Sequence, residues 1–236
     1  LGSGGVSALQ LAAGNGFVEG AKVLLDHKAD IQFGSGGPLM SAVIERHRAM
    51  VEFLVSRGAK LDALDLVGRT ALNYAASALY LDMAELLLKL GAKADVAGMD
   101  GATPLMLAIN QSRPGDEKAS LELMRLLLKN GADVNFQGAT GDTALMYASG
   151  RGAIPKSPTR AALLIESGAK LDLANKQGET ALMHASARGY VDIMRLLIDK
   201  GADLDAKAAN GDTALGFARK NGKSDAVKLL SSKGAK

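Results

Sequence analysis

The 236-residue chain is 47% hydrophobic and 22% charged, the balance of an ordered chain that buries a continuous core and not of a disordered one. With no Cys, disulfide scaffolds, Cys-based zinc sites and thiol catalysis are excluded, and a net charge of +3 is too small to mark a nucleic-acid partner. The longest uncharged stretch, Leu1 to Val18, carries five Gly with Ser, Gln and Asn, so no segment offers the roughly 20 apolar residues of a membrane span. Charge is uneven: residues 1–118 hold 11 basic and 13 acidic side chains, residues 119–236 hold 17 and 12, so the second half is the better match for an acidic surface.

One pattern recurs along the chain. Leu9, Leu39, Leu72, Leu105, Leu145, Leu182 and Leu215 are separated by 30, 33, 33, 40, 37 and 33 residues. Ala29, Ala59, Ala92, Ala132, Ala169, Ala202 and Ala235 keep the same gaps in the same order. Such a period marks a repeat array, with units at about 5–34, 35–64, 65–97, 98–137, 138–174, 175–207 and 208–236.

In chain order, the first unit places Val6, Leu9, Leu11, Ala12 and Ala13 in an apolar first helix and has Lys28 where later units have Gly. The second starts its helix at Pro38, where a missing N–H costs nothing. The third sets Gly68 two residues before Thr70, a helix N-cap, and continues into a second helix with Met83, Leu86, Leu87 and Leu90 at i, i+3, i+4 and i+7. The fourth repeats this with Gly101, Thr103 and Pro104, but gains residues around 110–118. The fifth, after Thr143, gains residues around 151–160, and the sixth and seventh return to 33 with Thr180 and Thr213. Gly91, Gly131, Gly168, Gly201 and Gly234 close the second helices. The last unit carries Lys220, Lys223, Lys228 and Lys233, the polar exterior of a capping repeat.

The residues Gly178-Glu179-Thr180-Ala181-Leu182, then Gly189-Tyr190-Val191 and Leu196 to Asp203, resemble the ankyrin-repeat family, and seven such units cover nearly the whole chain. The resemblance implies an all-α ankyrin-repeat solenoid of seven helix-turn-helix units with connecting fingers, forming a single domain over residues 1–236. First helices and fingers would line a concave face. Where the family places His after the marker Leu, this chain has Gln10, Met40, Asn73, Met106, Met146, Met183 and Gly216. The four Met read as flexible packing between units, with a docking stripe as the alternative.

The concave positions implied by the resemblance are Leu66, Val67, Arg69, Met99, Asp100, Thr140, Asp142, Lys176 and Gln177 in fingers, with Arg151 and Arg188 at helix ends. Leu66, Val67 and Met99 form an apolar centre flanked by charge, which suits a protein partner. Phe33 and Phe136, just after the Ala-Asp segments, are either aromatic anchors or finger packing. The two insertions read as loop drift or as a rim that carries Arg113, Lys156 and Arg160. In the rim reading, reversing Lys156 and Arg160 to Glu weakens partner binding and leaves thermal stability nearly unchanged.

Catalytic matches fail on inspection. The run Gly216 to Ser224 ends in Gly222-Lys223-Ser224 but has Phe217 where a P-loop needs Gly. His27 and His47 lack an i+4 His or an acidic cluster, and His184 reads as a buried structural side chain. Asn110-Gln111-Ser112 is a chance glycosylation sequon. The expectation is therefore a non-enzyme without cofactor or metal, monomeric on its own, that binds another protein and neither nucleic acid nor membrane. Its concrete form is an inhibitor or protective cap of a partner enzyme such as a cell-wall or secreted hydrolase, with an adaptor joining two proteins as the alternative. Irregular units, the start at Leu1 and the apolar first unit favour a bacterial, periplasmic protein over a cytoplasmic one.

Overall fold

Hydroxyl caps start most first helices, as the Thr spacing predicts. In the computed structural model, which describes residues 6–33, 37–110, 115–151 and 157–235, Ser7 Oγ accepts from Gln10 N at 3.0 Å. Thr70, Thr143, Thr180 and Thr213 accept from the N–H three residues on, at 3.1, 3.3, 3.5 and 3.4 Å. Each of these bonds satisfies one backbone donor that the helix geometry leaves unpaired.

Fourteen helices, and no strand, are found among the described residues. They come in seven pairs: α1 (Ala8–Gly14) with α2 (Val18–Asp26), α3 (Gly37–Ile44) with α4 (Arg48–Ser56), α5 (Ala71–Ser77) with α6 (Leu81–Lys89), and α7 (Pro104–Asn110) with α8 (Glu117–Lys129). Then follow α9 (Ala144–Ala148) with α10 (Pro158–Glu166), α11 (Ala181–Arg188) with α12 (Val191–Asp199), and α13 (Ala214–Lys220) with α14 (Ser224–Ser232). The chain divides into two compact units, Leu1–Pro104 and Leu105–Lys236.

Within each unit the core is built from Ala, Leu and Met. Leu9, Leu72, Leu105, Leu145 and Leu182 are at most 1% exposed, and Ala13, Ala42, Ala75, Ala108 and Ala185 are sealed at positions where a small side chain lets helices approach closely. Met40, Met106, Met146 and Met183 are all buried, so the packing reading of that row holds and the docking stripe is withdrawn. Asn73, in the same row, accepts from Thr70 N at 2.9 Å and donates to Val96 O at 3.1 Å, tying α5 to the next finger.

Fingers repeat one backbone pattern. Asp65, Gly98, Gly138, Asn175 and Ala208 each donate N–H to the carbonyl four residues on. Neighbouring fingers are joined by Met99 N to Gly68 O, Lys176 N to Thr140 O and Ala209 N to Gln177 O. At finger bases, Asp62, Asn135 and Asp172 accept from the N–H of Lys93, Lys170 and Asp203.

The insertions differ from a pure loop. The other second helices span nine residues, but α8 spans thirteen, so Glu117 and Lys118 belong to a helix. In the fifth repeat Ser157 Oγ caps α10 and Pro158 sits in its first turn, so residues 157–160 are not loop; Arg160 is on the helix and 2% exposed, which corrects its expected place on an exposed rim.

Past α2, Lys28 takes φ of +64°, whereas its counterpart Gly91 takes +102° at no steric cost. An L-residue there carries about 1 kcal/mol of strain. Lys28→Gly is therefore expected to stabilise the chain by about 0.5–1 kcal/mol in urea denaturation; an unchanged or lower midpoint would show that Lys28 is not strained.

Candidate functional site

Finger geometry in Leu1–Pro104 exposes four apolar side chains. Leu64, Leu66, Val67 and Met99 are 54%, 81%, 61% and 75% exposed. The Gly68 turn brings two of these finger segments together: Met99 N donates to Gly68 O, and a Cβ on Gly68 would stand 1.9 Å from Met99 Cγ. Only Gly fits this close approach, which also needs φ of +70°. Asp65 stiffens the same finger by accepting from Val67 N and Arg69 N at 3.0 and 2.8 Å and from Tyr74 Oη at 2.6 Å. Burial, then the bond to Asp65, pushes the Tyr74 phenol up to about 12. Arg69 lies 6.0 Å over the Tyr74 ring and 3.9 Å from exposed Asp100, which places charge beside the apolar tips.

Phe33 is 39% exposed, whereas Phe136 is half-buried. Val6, Leu11, Phe17 and Val23 of the first repeat are also exposed.

In Leu105–Lys236, Thr140, Lys176, Gln177 and Arg188 are exposed. Asp142 is not: it is 1% exposed and accepts from Thr140 Oγ1, from Asn175 Nδ2 at 2.8 Å and from Arg151 Nε at 2.9 Å. This corrects its assignment as a partner-facing residue, because each carboxylate oxygen is already engaged inside the protein. Burial raises the Asp142 pKa, but the three hydrogen bonds outweigh burial and hold it below the ordinary carboxylate value. Arg151 is half-exposed and fixed by that bond. Arg113 and Lys156 lie outside the described residues.

His184 is shielded in α11, and Nε2 has no hydrogen-bond partner. Desolvation lowers its pKa; Glu179 and Asp142 oppose this, while Arg151 and Arg188 reinforce it. A His with a depressed folded pKa binds its proton more readily when unfolded, so stability is lost as pH falls below about 6.5. Asp142, depressed from the carboxylate range, adds a further loss at lower pH. The thermal midpoint is expected to fall between pH 7.5 and 5.5, and His184→Tyr, which installs the residue found at the equivalent Tyr147, should flatten that fall. An equal slope in both proteins would contradict this.

What sequence reasoning misses here is the group around His184, because Glu179, Lys223 and Phe217 come from three segments. For Arg160, the Ser157-Pro158 pair was the available signal of a helix start. No cluster of three or more metal-binding side chains occurs among the described residues, nor does any helix there suffice to cross a membrane.

A family model described as "Ankyrin repeats (3 copies)" matches residues 2–65, 58–135, 116–208 and 156–236. The chain is similar, at 43% identity over 68 residues, to the ankyrin repeat and KH domain-containing protein 1 of Homo sapiens, covering 29% of this chain and 3% of that protein. It is 39% identical over 66 residues to the ankyrin repeat and KH domain-containing protein mask of Drosophila melanogaster, covering 28% of this chain and 2% of that protein. The chain thus matches only a small fraction of the length of these relatives, and both are animal proteins, which lends no support to the expected bacterial origin. Among solved structures it is similar to the ankyrin repeat domain of Bcl-3, a member of the IkappaB protein family, with TM-score 0.78, 26% identity and coverage of 95% of this chain and 98% of that one. It is also similar to the human ASB11 ankyrin repeat domain, with TM-score 0.74, 25% identity and coverage of 95% and 97%. Ankyrin-repeat proteins are generally non-catalytic interaction modules. With family matches spanning residues 2–236 and helix pairs in the matching register, this chain belongs to the ankyrin-repeat family.

Proposed function

We propose that this chain is a non-catalytic protein-binding domain of seven repeats that holds a folded partner on its finger tips and first-helix ends. The observation that carries the reading is the group of exposed Leu64, Leu66, Val67 and Met99 on braced fingers. Apolar side chains rimmed by charge exclude water from the centre of an interface, and the braced finger backbone that carries them loses little conformational freedom on binding. The triple variant Leu66→Ser, Val67→Ser, Met99→Ser removes that centre from exposed positions, so stability should change by under about 0.5 kcal/mol per site. Affinity capture from cells, quantified by mass spectrometry, should then show the proteins retained by the wild-type chain reduced at least tenfold. Equal retention by the variant would overturn the finger reading.

The finer form of this reading is an inhibitory or protective cap over a partner enzyme, with an adaptor joining two proteins as the alternative. It requires no bacterial or periplasmic setting, and the partner enzyme's class follows from its identification. Turnover of the captured enzyme under saturating chain separates the two: inhibition supports the cap, and unchanged turnover supports the adaptor. The chain acts as a monomer in either form.

A further inference from the structure

In Leu105–Lys236 a cleft of about 460 Å³ opens near the carboxyl ends of α9, α11 and α13. Its walls include Arg151, Glu179, His184, Arg188, Phe217 and Lys223, three permanent cations against one carboxylate. That carboxylate is already held, since Glu179 Oε2 accepts from Asn175 Nδ2 at 3.2 Å. Arg151 reaches Asp142 through Nε alone, at 2.9 Å, which leaves its terminal nitrogens as donors. Arg188 Nε donates to Gly150 O at 3.2 Å, which fixes the stem of its guanidinium beside the cleft. The Lys223 stem packs beside Gly189, and its ammonium makes no ion pair among the described residues. The His184 ring also borders the space, and its shielded Nε2, 3.5 Å from Glu179 Oε2, satisfies no hydrogen bond.

We propose that this cleft receives an acidic side chain, the carboxylate of an Asp or Glu in the partner polypeptide. The proposal rests on the protein-binding reading above and names the chemistry of one part of that partner. The half-buried Arg151 recognises a planar carboxylate through its paired terminal N–H groups, and exposed Arg188 and the Lys223 ammonium add positive charge. Phe217 gives the methylenes of such a side chain an apolar wall. The size falls in the range of small-ligand clefts, and the surplus of basic residues in 119–236 steers an acidic segment toward it. A continuous nucleic-acid backbone would need a basic stripe, whereas here one cleft concentrates the charge.

The test uses the whole chain and a fluorescein-labelled octaglutamate peptide, with octaglutamine as control, read by anisotropy at 50 mM NaCl. Arg188→Glu with Lys223→Glu reverses two cleft cations; Lys200→Glu with Lys228→Glu makes the same charge change at second helices, Lys200 as the C-cap of α12 and Lys228 within α14. The expected result is that wild type and the second-helix pair bind octaglutamate alike, octaglutamine does not bind, and the cleft pair binds at least tenfold more weakly. The milder Arg188→Gln with Lys223→Gln, with thermal melts on every protein, guards against loss of folding and should give an intermediate loss. Equal weakening by both charge-reversed pairs, or equal binding of the two peptides, overturns the cleft proposal. The Leu66→Ser, Val67→Ser, Met99→Ser variant should bind octaglutamate like wild type, so a failed cleft leaves the finger reading standing and failed fingers leave the cleft measurable.

Discussion

Asp142→Ala is expected to remove about 3 kcal/mol of stability, although the residue lies in a finger where a sequence-level reading expects tolerance. The carboxylate is buried and accepts from three donors, and truncation leaves the buried Asn175 amide and the Arg151 guanidinium facing a void. Breaking one side of a buried charged network costs more than the network contributes, because the stranded partner keeps its desolvation penalty. Arg151→Ala should cost far less, under about 1 kcal/mol, since that side chain is 40% exposed and water replaces it readily. Chemical denaturation of both variants checks the ratio. Equal, small effects would return Asp142 to the surface and to the list of partner-facing residues.

The second large effect concerns Arg160. Its Nε and Nη1 lack hydrogen-bond partners while the residue is 2% exposed, and burial pulls its pKa down against the favourable fields of Glu117 and Asp116. Ser157, which caps the same helix, donates to Glu117, so the nearest carboxylate is engaged elsewhere. Arg160→Glu would bury a carboxylate near two like charges, with an expected loss of about 4 kcal/mol or more. Arg160→Met keeps the volume and discards the unsatisfied charge, so it should be neutral or stabilising by about 1 kcal/mol or more. If Met proved as damaging as Glu, the guanidinium would be making bonds that its surroundings do not show. This reverses the expectation that charge reversal at Arg160 spares stability.

Periodic features were legible because they repeat. The Leu and Ala markers, the Thr caps and the closing Gly each report a local backbone requirement, and seven copies in register turn a weak signal into a fold. The exposed finger tips Leu66, Val67 and Met99 were legible for the same reason, as apolar residues at positions the repeat turns outward. Asp142 and Arg160 were not. Polarity alone places a charged residue at the surface, but Asp142 is drawn inward by donors 33 residues away at Asn175, a pairing that spacing within one repeat does not reveal. Taking the inserted residues as one block places Arg160 in a loop, whereas Ser157 and Pro158 start a helix and carry Arg160 to its inner face. The cleft was half legible: Arg151 and Arg188 stood out as helix-end cations, but His184 and Lys223 join them only once neighbouring repeats stack.

The claim that the fingers form the partner-binding surface is tested most directly by hydrogen–deuterium exchange on the chain with and without a captured partner. Increased protection is expected at the finger amides around Leu66–Arg69 and Met99–Gly101, with the second helices α2, α4 and α6 unchanged. Protection confined to those second helices, with the finger amides exchanging as in the free chain, would contradict it.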